Sequence, residues 1–481
     1  MKQAGIPTYD SPDRAVRAFM YLVAFQRNRE ILYETPRQLP LDAVANEGRL
    51  LVEQLLAAGR ETLTEIESKE LLAAYGIATT VPRPASTSTE AVAIACELGY
   101  PLVMKVHSPQ ILHKTEVRGV VTGISDDDDV RRTFTEIVER AKRMRPDAEI
   151  KGVTLQPMLT AAESLELIVG AKKDPVFGAV MMVGAGGITA EVLADRALEL
   201  PPLNERLSRR MLESLRIRPL LGNFRGRRAI HFDRLVETLM RFSYLIAENP
   251  CIAELDVNPL LVTPDGATAL DARVILDLSA EEVNPRPYSH LAIRPYPQEY
   301  VRQVTLADGS KLLLRPIRPE DESMWHEYLR KCSQHSIWMR FRYLFKESTH
   351  EMATRFCFVD YDRTMAIVAE IETDNKRELV GVVRLVADAD HRDAEFAILV
   401  TDDWQGRGLG TLMTDYCMEL CDSWGISRVF AETTEDNQHM QEILRRHNFR
   451  RKKSTNGEVL YETILSERSS EPLSNIAEII A

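Results

Sequence analysis

Prolines cluster in one short stretch of this 481-residue chain, at Pro285, Pro287, Pro295 and Pro297. Proline removes a backbone hydrogen-bond donor and fixes φ, so such a stretch neither continues a helix nor enters the middle of a sheet. The cluster therefore predicts an interdomain linker. It divides the chain into parts of about 285 and about 185 residues, sizes that suit one composite domain and one single domain.

The composition is typical of a soluble globular protein with an acidic surface. Lys and Arg number 60 against 72 Asp and Glu, which gives a net charge of −12 and argues against a nucleic-acid partner. No apolar run reaches the roughly 20 residues of a membrane span, and no signal-peptide pattern begins the chain. The six cysteines lack metal-binding spacing, so we expect reduced core thiols. We therefore expect a cytoplasmic protein that binds neither nucleic acid nor a membrane.

Upstream of the prolines, helix-like and strand-like patterns alternate, which predicts an α/β or α+β domain. Strands are predicted at residues 101–106, 165–170 and 176–183, and helices at 68–75, 130–144, 205–215 and 232–248. A closing hairpin is predicted from residues 253–262 and 268–275, across Pro264-Asp265-Gly266.

Downstream of the prolines, a second mixed pattern begins with a hairpin over residues 301–314 that turns at Asp308-Gly309. A helix is predicted from Pro319 through Cys332, because proline suits the first helical turn. Further strands are predicted at residues 365–371, 379–387, 394–400 and 427–432, and further helices at 409–424 and 437–446.

A glycine-rich loop, Gln405-Gly406-Arg407-Gly408-Leu409-Gly410, joins the predicted strand 394–400 to a predicted helix. A diphosphate needs several N–H donors aimed at one point, and a helix N-terminus supplies them with a favourable dipole. Glycines let the backbone approach closely, and Gln405 and Arg407 can add side-chain contacts. The dinucleotide fingerprint does not fit, because Thr411 stands where its third glycine would be. A glycine-rich turn without a ligand is the alternative to a phosphate site.

Residues 299–467 resemble the GCN5-related N-acetyltransferase (GNAT) family. In that family a Gln/Arg-x-x-Gly-x-Gly/Ala loop binds the pyrophosphate of acetyl-CoA, and the loop at 405–410 matches it. The family also places an asparagine near the pantetheine arm, where this chain has Asn437, which can equally be a helix cap. The resemblance implies acetyl-CoA as cofactor, held by Leu399, Val400, Gln405, Gly406, Arg407, Gly408, Leu409, Gly410 and Asn437.

The implied reaction is the attack of an amine on a thioester. An alkylammonium group has a pKa of about 10.4, so it must lose a proton before it attacks. Glu395 is the ionisable side chain of the strand 394–400, and we interpret it as the general base; a surface carboxylate is the alternative. The bacterial protein-lysine branch of the family carries a catalytic glutamate in the same Ala-Glu-Phe-Ala context. Many members carry a tyrosine that acts as the general acid for the leaving thiolate, and this chain has Leu444 at that position. The general acid is therefore unassigned.

Residues 62–278 resemble the ATP-grasp half of nucleoside-diphosphate-forming acyl-CoA synthetases. The matching stretches are residues 67–72, 100–105, 108–114, 183–187 and 254–259. The resemblance implies a nucleotide site for ATP at Lys105, Gln156, Met158 and Glu166.

Further roles follow from the same resemblance. Asn258 and Asp271, on the two strands of the closing hairpin, are implied to hold Mg²⁺, which prefers oxygen ligands. His113 stands where the archaeal ligases have a histidine that carries phosphate, and a structural or solvent-facing histidine is an equal alternative. Arg118 replaces a glycine that is usual in this family.

The order of regions resembles the bacterial protein lysine acetyltransferases of the Pat type. We divide the chain into a flavodoxin-type tail (1–40), an ATP-grasp domain (41–283), a linker (284–298), a GNAT domain (299–470) and a C-terminal tail (471–481). We expect the CoA-binding ligase part upstream to be absent, as in a truncated gene or a split enzyme.

The resemblance to the Pat type implies acetyl transfer to lysines of proteins such as acetyl-CoA synthetase, with the ligase-like region as a regulatory module. Three alternatives stay open. One is a ligase half that works with a separate subunit, the second is a sensing module without chemistry, and the third is a transferase for small amines. The implied partners are a protein substrate and either a second copy or a complementing ligase-like subunit.

Overall fold

The structure, a computed structural model, describes residues 7–32, 45–111, 114, 117–159, 164–187, 194–223, 226, 228–279, 288, 290–373, 376–455 and 457–465. The chain divides into two compact units. The upstream unit comprises residues 39–283 and 290–292, and the downstream unit comprises residues 1–38, 284–289 and 293–481. His113 and the predicted tail 471–481 lie outside the described residues. In the described part of the chain, no helix is both long enough and apolar enough to span a membrane.

The upstream half alternates helices with short strands. Its helices are α1 (Pro12–Leu32), α2 (Ala45–Ala57), α3 (Glu65–Ala74), α4 (Ser88–Leu98), α5 (Asp127–Met144), α6 (Glu205–Ser214), α7 (Arg218–Leu221) and α8 (Phe232–Glu248). Its strands are β1 (Arg83–Ala85), β2 (Leu102–His107), β3 (Val120–Ile124), β4 (Gly152–Pro157), β5 (Leu165–Asp174), β6 (Gly178–Ala185), β7 (Arg196–Glu199), β8 (Ile252–Thr263), β9 (Gly266–Ala269) and β10 (Ala272–Leu276).

The upstream unit contains two sheets with separate cores. The first sheet has the order β1-β4-β2-β3, and α4 and α5 bury their apolar faces against it. The sequence favours helix α5 in two ways. Asp126 caps its N-terminus by accepting a hydrogen bond from Asp129 N at 2.8 Å. Its buried face carries Val130, Ile137 and Ala141 at helical spacing.

The second sheet has the order β10-β8-β5-β6-β7, with β9 paired to β8. Helices α2, α3, α6 and α8 pack on it in a larger core. The predicted closing hairpin is present, but its second strand is interrupted. Strand β8 pairs with β9 and then with β10, and Leu270 and Asp271 lie in the break. Asp271 therefore lies between two strands, and the prediction that it lies on a strand of the hairpin is wrong.

The downstream unit is built on one sheet. Its helices are α9 (Glu322–Arg330), α10 (Gln334–Phe341), α11 (His350–Cys357), α12 (Leu409–Ser423) and α13 (Gln438–Arg446). Its strands are β11 (Arg302–Thr305), β12 (Lys311–Pro316), β13 (Thr364–Thr373), β14 (Lys376–Ala387), β15 (Asp393–Val400), β16 (Arg428–Thr434), β17 (Arg450–Thr455) and β18 (Glu458–Ile464).

The strands of this sheet follow the order β11-β12-β13-β14-β15-β16-β18-β17. One face packs against α12 in a core that includes Phe396 and Leu444, and the other packs against α9, α10 and α11 in a core that includes Leu399. Tyr296, inside the predicted linker, is buried in the first of these cores and donates a hydrogen bond to Pro316 O at 2.9 Å.

The cysteines agree in part with their predicted role. All six are free thiols, and Cys251, Cys332, Cys357, Cys417 and Cys421 are buried. Cys96 is exposed instead, because it lies on the outer face of α4.

Candidate functional site

The downstream sheet opens between two strands to form a cleft. Strands β15 and β16 run parallel but pair over three residues each, Asp393 to Glu395 with Arg428 to Phe430. Beyond that point residues 396–400 of β15 and Glu432 and Thr433 of β16 line a cavity of about 680 Å³. The divergence leaves strand edges facing a cavity, so backbone groups are available there to hydrogen-bond an extended ligand.

The predicted glycine-rich loop lies at the mouth of this cleft. Gly406 and Gly408 have φ values of 74° and 85°, the left-handed region that glycine adopts without strain, and helix α12 begins directly after them. Gly410 packs closely, since a Cβ there would lie 3.1 Å from Ile443 Cδ1. The first backbone N–H groups of α12 thus converge at the cavity, as a diphosphate requires.

The loop's larger side chains act differently from the sequence-based expectation. Gln405 Nε2 donates to Val400 O at 3.0 Å and to Ser336 Oγ at 3.2 Å, so this amide ties the loop to β15 and α10. Arg407 lies over the Trp404 ring at 4.8 Å with Nη1 3.7 Å from Asp308 Oδ2, and Leu409 is buried in the core. The backbone of the loop, rather than the Arg407 and Leu409 side chains, therefore faces the cavity.

Replacing Gln405 with Ala is expected to weaken acetyl-CoA binding about tenfold, because two hydrogen bonds that hold the loop are lost at about 0.5–1.5 kcal/mol each. Titration calorimetry measures the Kd directly. Gln303→Ala, at an exposed site of the same domain, is the matched control and should bind as the wild type does. An unchanged Kd for Gln405→Ala would show that the loop holds its shape without these bonds.

Two carboxylates stand on the diverging strands. Glu395 is exposed on β15, pairs in register with Val386 and Phe430, and lines the cavity as predicted for a base. Glu432 on β16 lines the same cavity and was missed by the sequence analysis. The sequence feature that could have indicated Glu432 is its place in the strand just before Asn437, where it alternates with the buried Ala431 and Thr433.

Asn437 is both a helix cap and a residue of the cavity wall, and the sequence allowed both. It caps α13 by accepting a hydrogen bond from Met440 N at 3.1 Å, and it also lines the cavity. Leu399 and Val400 line it too, with Leu399 O accepting from Tyr328 Oη at 2.8 Å. Leu444 is fully buried in the core and offers no proton, which agrees with an unassigned general acid.

The upstream unit holds a second cavity, of about 490 Å³, with a charged wall. Glu65 accepts hydrogen bonds from Lys105 Nζ at 2.6 Å and Lys69 Nζ at 2.9 Å, and its other carboxylate oxygen forms an ion pair with Lys114 Nζ at 2.8 Å. Burial alone would raise the pKa of Glu65, but the lysines outweigh it and hold that pKa well below its usual range. Lys105 also lies 3.6 Å from Asp271 Oδ2, so the lysines are shared between two carboxylates. Lysine ammonium groups at such a wall suit a phosphate ligand.

Lys69 and Lys114 were not singled out from the sequence. Lys69 donates to Glu65, to Thr80 Oγ1 at 3.1 Å and to Gln156 Oε1 at 2.8 Å, and burial lowers its pKa to about 8. All three donors of this ammonium group are engaged, so Lys69 holds the network together rather than reaching a ligand.

The predicted metal ligands meet at the same cavity. Asn258 and Asp271 line it together with Asp256, and burial raises the pKa of Asp256. Among the described residues no three His, Cys, Asp or Glu side chains converge as a complete metal site. The donor set fits Mg²⁺, which in nucleotide sites takes one or two carboxylates and completes its shell with water and phosphate oxygens.

The other nucleotide residues are spread around this unit. Lys105 lies in the middle of β2 rather than at its end, with its ammonium group 3.6 Å from Asp271 Oδ2. Met158 N donates to Pro101 O, and Glu166 is exposed on β5 with its carbonyl accepting from Gly186 N at 2.8 Å. Arg118 has a φ of 47°, a left-handed conformation that explains why glycine is usual there.

Comparison with known proteins identifies the two domains that hold these cavities and confirms their predicted order. A family model of the ATP-grasp domain matches residues 54–276, and a model of the acetyltransferase (GNAT) domain matches residues 311–450. The chain thus joins an ATP-grasp domain to a GNAT domain, and the GNAT domain supports N-acetyltransferase activity with acetyl-CoA.

Three of the similar proteins match different parts of the chain. The β subunit of ADP-forming acetate–CoA ligase II from Pyrococcus furiosus is 38% identical over 229 residues, 47% of this chain and 96% of the relative. An acetyltransferase of Pseudomonas aeruginosa is 26% identical over 139 residues, 29% of this chain and 75% of the relative. The solved GNAT domain of S. lividans PAT is 26% identical with a TM-score of 0.33, covering 35% of this chain and 99% of that domain. Through its upstream unit, the chain belongs to the family of ADP-forming acetate–CoA ligase β subunits.

Proposed function

We propose that the chain transfers the acetyl group of acetyl-CoA to the ε-amine of a protein lysine, and that its ATP-grasp unit regulates the transfer. The observation that carries the proposal is the position of Glu395, a carboxylate on the strand edge of the cleft whose mouth is the glycine-rich loop. A diphosphate bound at the loop directs the rest of acetyl-CoA along the diverging strands, toward Glu395.

The chemistry follows from what each group supplies. Acetyl-CoA, when bound, supplies an activated acyl carbon. Glu395 accepts the proton of the incoming ammonium group, directly or through a water, and the neutral amine then attacks. The thiol of CoA has a pKa of about 8.5, so the thiolate leaves without a dedicated acid at moderate cost. The second proton, which the nitrogen loses as the carbon–sulfur bond breaks, passes to this thiolate or to water. Glu432, facing the same cavity, helps to attract the cationic amine.

A protein acceptor is favoured by the rim of the cavity. Helix α10 lines the cavity with His335, Ser336, Met339 and Arg340, and carries the exposed Trp338. The chain continues with Tyr343 and Leu344, which are also exposed. Exposed apolar side chains beside a site favour contact with a macromolecule. Acyl-CoA synthetases are the proposed substrates, as the likeness to Pat-type enzymes implies.

Labelled acetyl-CoA tests the proposal. The full chain is incubated with the label and either an acyl-CoA synthetase or a panel of small amines, and label in precipitated protein is compared with label in small products. We expect transfer to the protein. Efficient transfer to a free amine together with none to protein would overturn the protein-acceptor proposal.

A ligase half that works with a separate subunit is the second candidate, favoured by relatives that are themselves β subunits. Both candidates propose ATP and Mg²⁺ at the charged cavity, but only the ligase candidate proposes turnover. Adding the α subunit of a related ligase, with acetyl-CoA, ADP and phosphate, separates them: ATP formation would favour the ligase.

Replacing Asp271 with Ala is expected to raise the Kd for ATP at least tenfold in the presence of Mg²⁺ and much less in its absence, because Asp271 is a proposed ligand of the ion. Calorimetry with and without Mg²⁺ measures both. Asp265→Ala, in the exposed turn between β8 and β9, is the control and should change neither Kd. Equal affinity of wild type and Asp271→Ala with Mg²⁺ would remove Asp271 from the site.

A further inference from the structure

Arg340 is a cationic side chain in the wall of the cleft. It lies near the C-terminus of α10 and lines the cavity together with Glu395. The helix is held against the sheet by Thr434 Oγ1, which donates to Met339 Sδ at 3.2 Å. Arg340 therefore stands on a fixed element in the same cavity as the base.

A second arginine backs the first. Arg384 on β14 pairs in register with Ala397 of β15, and Ala397 is two residues from Glu395 on the same strand. The side chains of Arg384, Ala397 and Glu395 therefore share one face of the sheet. Arg384 donates to Phe356 O at 3.1 Å and Arg355 O at 3.3 Å, and it lies over the Phe356 ring at 5.0 Å. These contacts fix Arg384 but do not neutralise it.

The two guanidinium groups have no close counter-charge. Within the described residues no carboxylate lies within 4.0 Å of Arg340 or Arg384, whereas the neighbouring Arg342 has Glu458 at 3.7 Å. Burial lowers the pKa of Arg384 to about 10, assisted by the charge of Arg340, and burial also lowers the pKa of Arg340. Arg340 thus carries a half-buried positive charge at the wall of the cleft beside the base, and Arg384 lies near enough for the Arg340 charge to act on it, although it does not line the cavity. An anion from outside would stabilise this arrangement.

We propose that Arg340, supported by Arg384, binds the carboxylate of an Asp or Glu that neighbours the acceptor lysine, so that the enzyme selects lysines in acidic sequence contexts. This inference rests on the proposed protein lysine acetylation. The lysine is drawn to Glu395 and Glu432 while its acidic neighbour meets a guanidinium, which binds carboxylates in a planar, two-pronged geometry. Recognition at two points of opposite charge aligns the amine with the base.

Synthetic peptides test the inference on the full chain. Each peptide has blocked termini and one acetylatable lysine, with Glu, Gln or Arg beside it. We expect the wild type to acetylate the Glu peptide with a kcat/KM about tenfold above that of the Gln peptide. Arg340→Gln should lose this preference, and Arg340→Glu should reverse it toward the Arg peptide. Arg330→Glu, at an exposed site on α9, should keep the wild-type preference.

The outcomes separate this inference from the proposed function. Unchanged acetyl-CoA binding shows that the Arg340 variants are folded. Equal rates for the three peptides with the wild type, or a preference that survives in Arg340→Glu, would overturn the inference while leaving protein acetylation standing. Free lysine acetylated better than every peptide would assign Arg340 to the carboxylate of a small amine, which also overturns it. A wild type that acetylates no peptide and no protein would overturn both proposals.

Discussion

Replacing Glu395 with Gln is expected to lower kcat for acetyl transfer by about 10²- to 10⁴-fold, the usual contribution of a positioned general base. The amide keeps the size of the side chain but cannot accept the proton of the ammonium group. Glu395 lies on a well-paired strand, in register with Val386 and Phe430, so the substitution should not disturb the cleft. The Kd for acetyl-CoA should therefore stay at the wild-type value.

The pH dependence adds a readout that a folding defect would not mimic. Without the base, the rate depends on the fraction of amine that is already neutral, which rises tenfold per pH unit below its pKa of about 10.4. The deficit of Glu395→Gln should therefore shrink steadily as the pH is raised. A constant deficit at all pH values, or none at all, would exclude Glu395 as the base.

Glu432→Gln serves as the comparison within the cavity. If Glu432 only attracts the amine, its loss should raise KM for the acceptor and leave kcat nearly unchanged. A large loss of kcat in Glu432→Gln, with an active Glu395→Gln, would transfer the base role from β15 to β16.

Replacing Arg315 with Met is expected to destabilise the GNAT domain by about 3–5 kcal/mol, because it removes the cation paired with the buried Asp321 and leaves the buried Glu370 only the more distant Arg377, at 3.7 Å. Arg315 is almost fully buried. Its guanidinium donates to Asp321 Oδ2 at 2.7 Å and Oδ1 at 2.8 Å, and to Glu370 Oε2 at 2.6 Å. The cluster joins β12, the start of α9 and β13, so its loss affects the base of the sheet rather than the cleft.

Calorimetry of the full chain measures this effect. The unfolding transition of the GNAT domain is identified as the one that acetyl-CoA shifts upward, since a ligand stabilises the state that binds it. Arg445→Met, which removes an exposed pair with Glu442, should move that transition by less than about 1 kcal/mol. Similar small shifts for both variants would show that the buried cluster contributes little.

The sequence predicted the parts of the fold that depend on local patterns. The glycine-rich loop, the strand before it and the helix after it all have signals within a few residues, and each is present. Helices α10 and α11 were not predicted, because they are short and mix aromatic with charged residues. Their N-caps, Ser333 and Thr349, are residue types that favour a helix start, so both helices did have a local signal in the sequence.

The features that the sequence could not supply arise from distant residues that meet in space. Arg340 and Glu395 are brought to one cavity by the placement of α10 on the sheet, and no local pattern specifies that placement. The upstream cluster is similar, since Glu65, Lys105 and Lys114 come from three separate segments. Local spacing finds a phosphate loop, whereas charge balance around a site requires the tertiary structure.

Tandem mass spectrometry of an acyl-CoA synthetase, incubated with acetyl-CoA and the full chain, tests the central claim most directly. Protein lysine acetylation predicts an acetyl group on the ε-amine of a defined lysine with the wild type, and its near absence with Glu395→Gln under the same conditions. A synthetase that stays unmodified while the same preparation acetylates a small amine would contradict the claim, as would equal acetylation by wild type and Glu395→Gln.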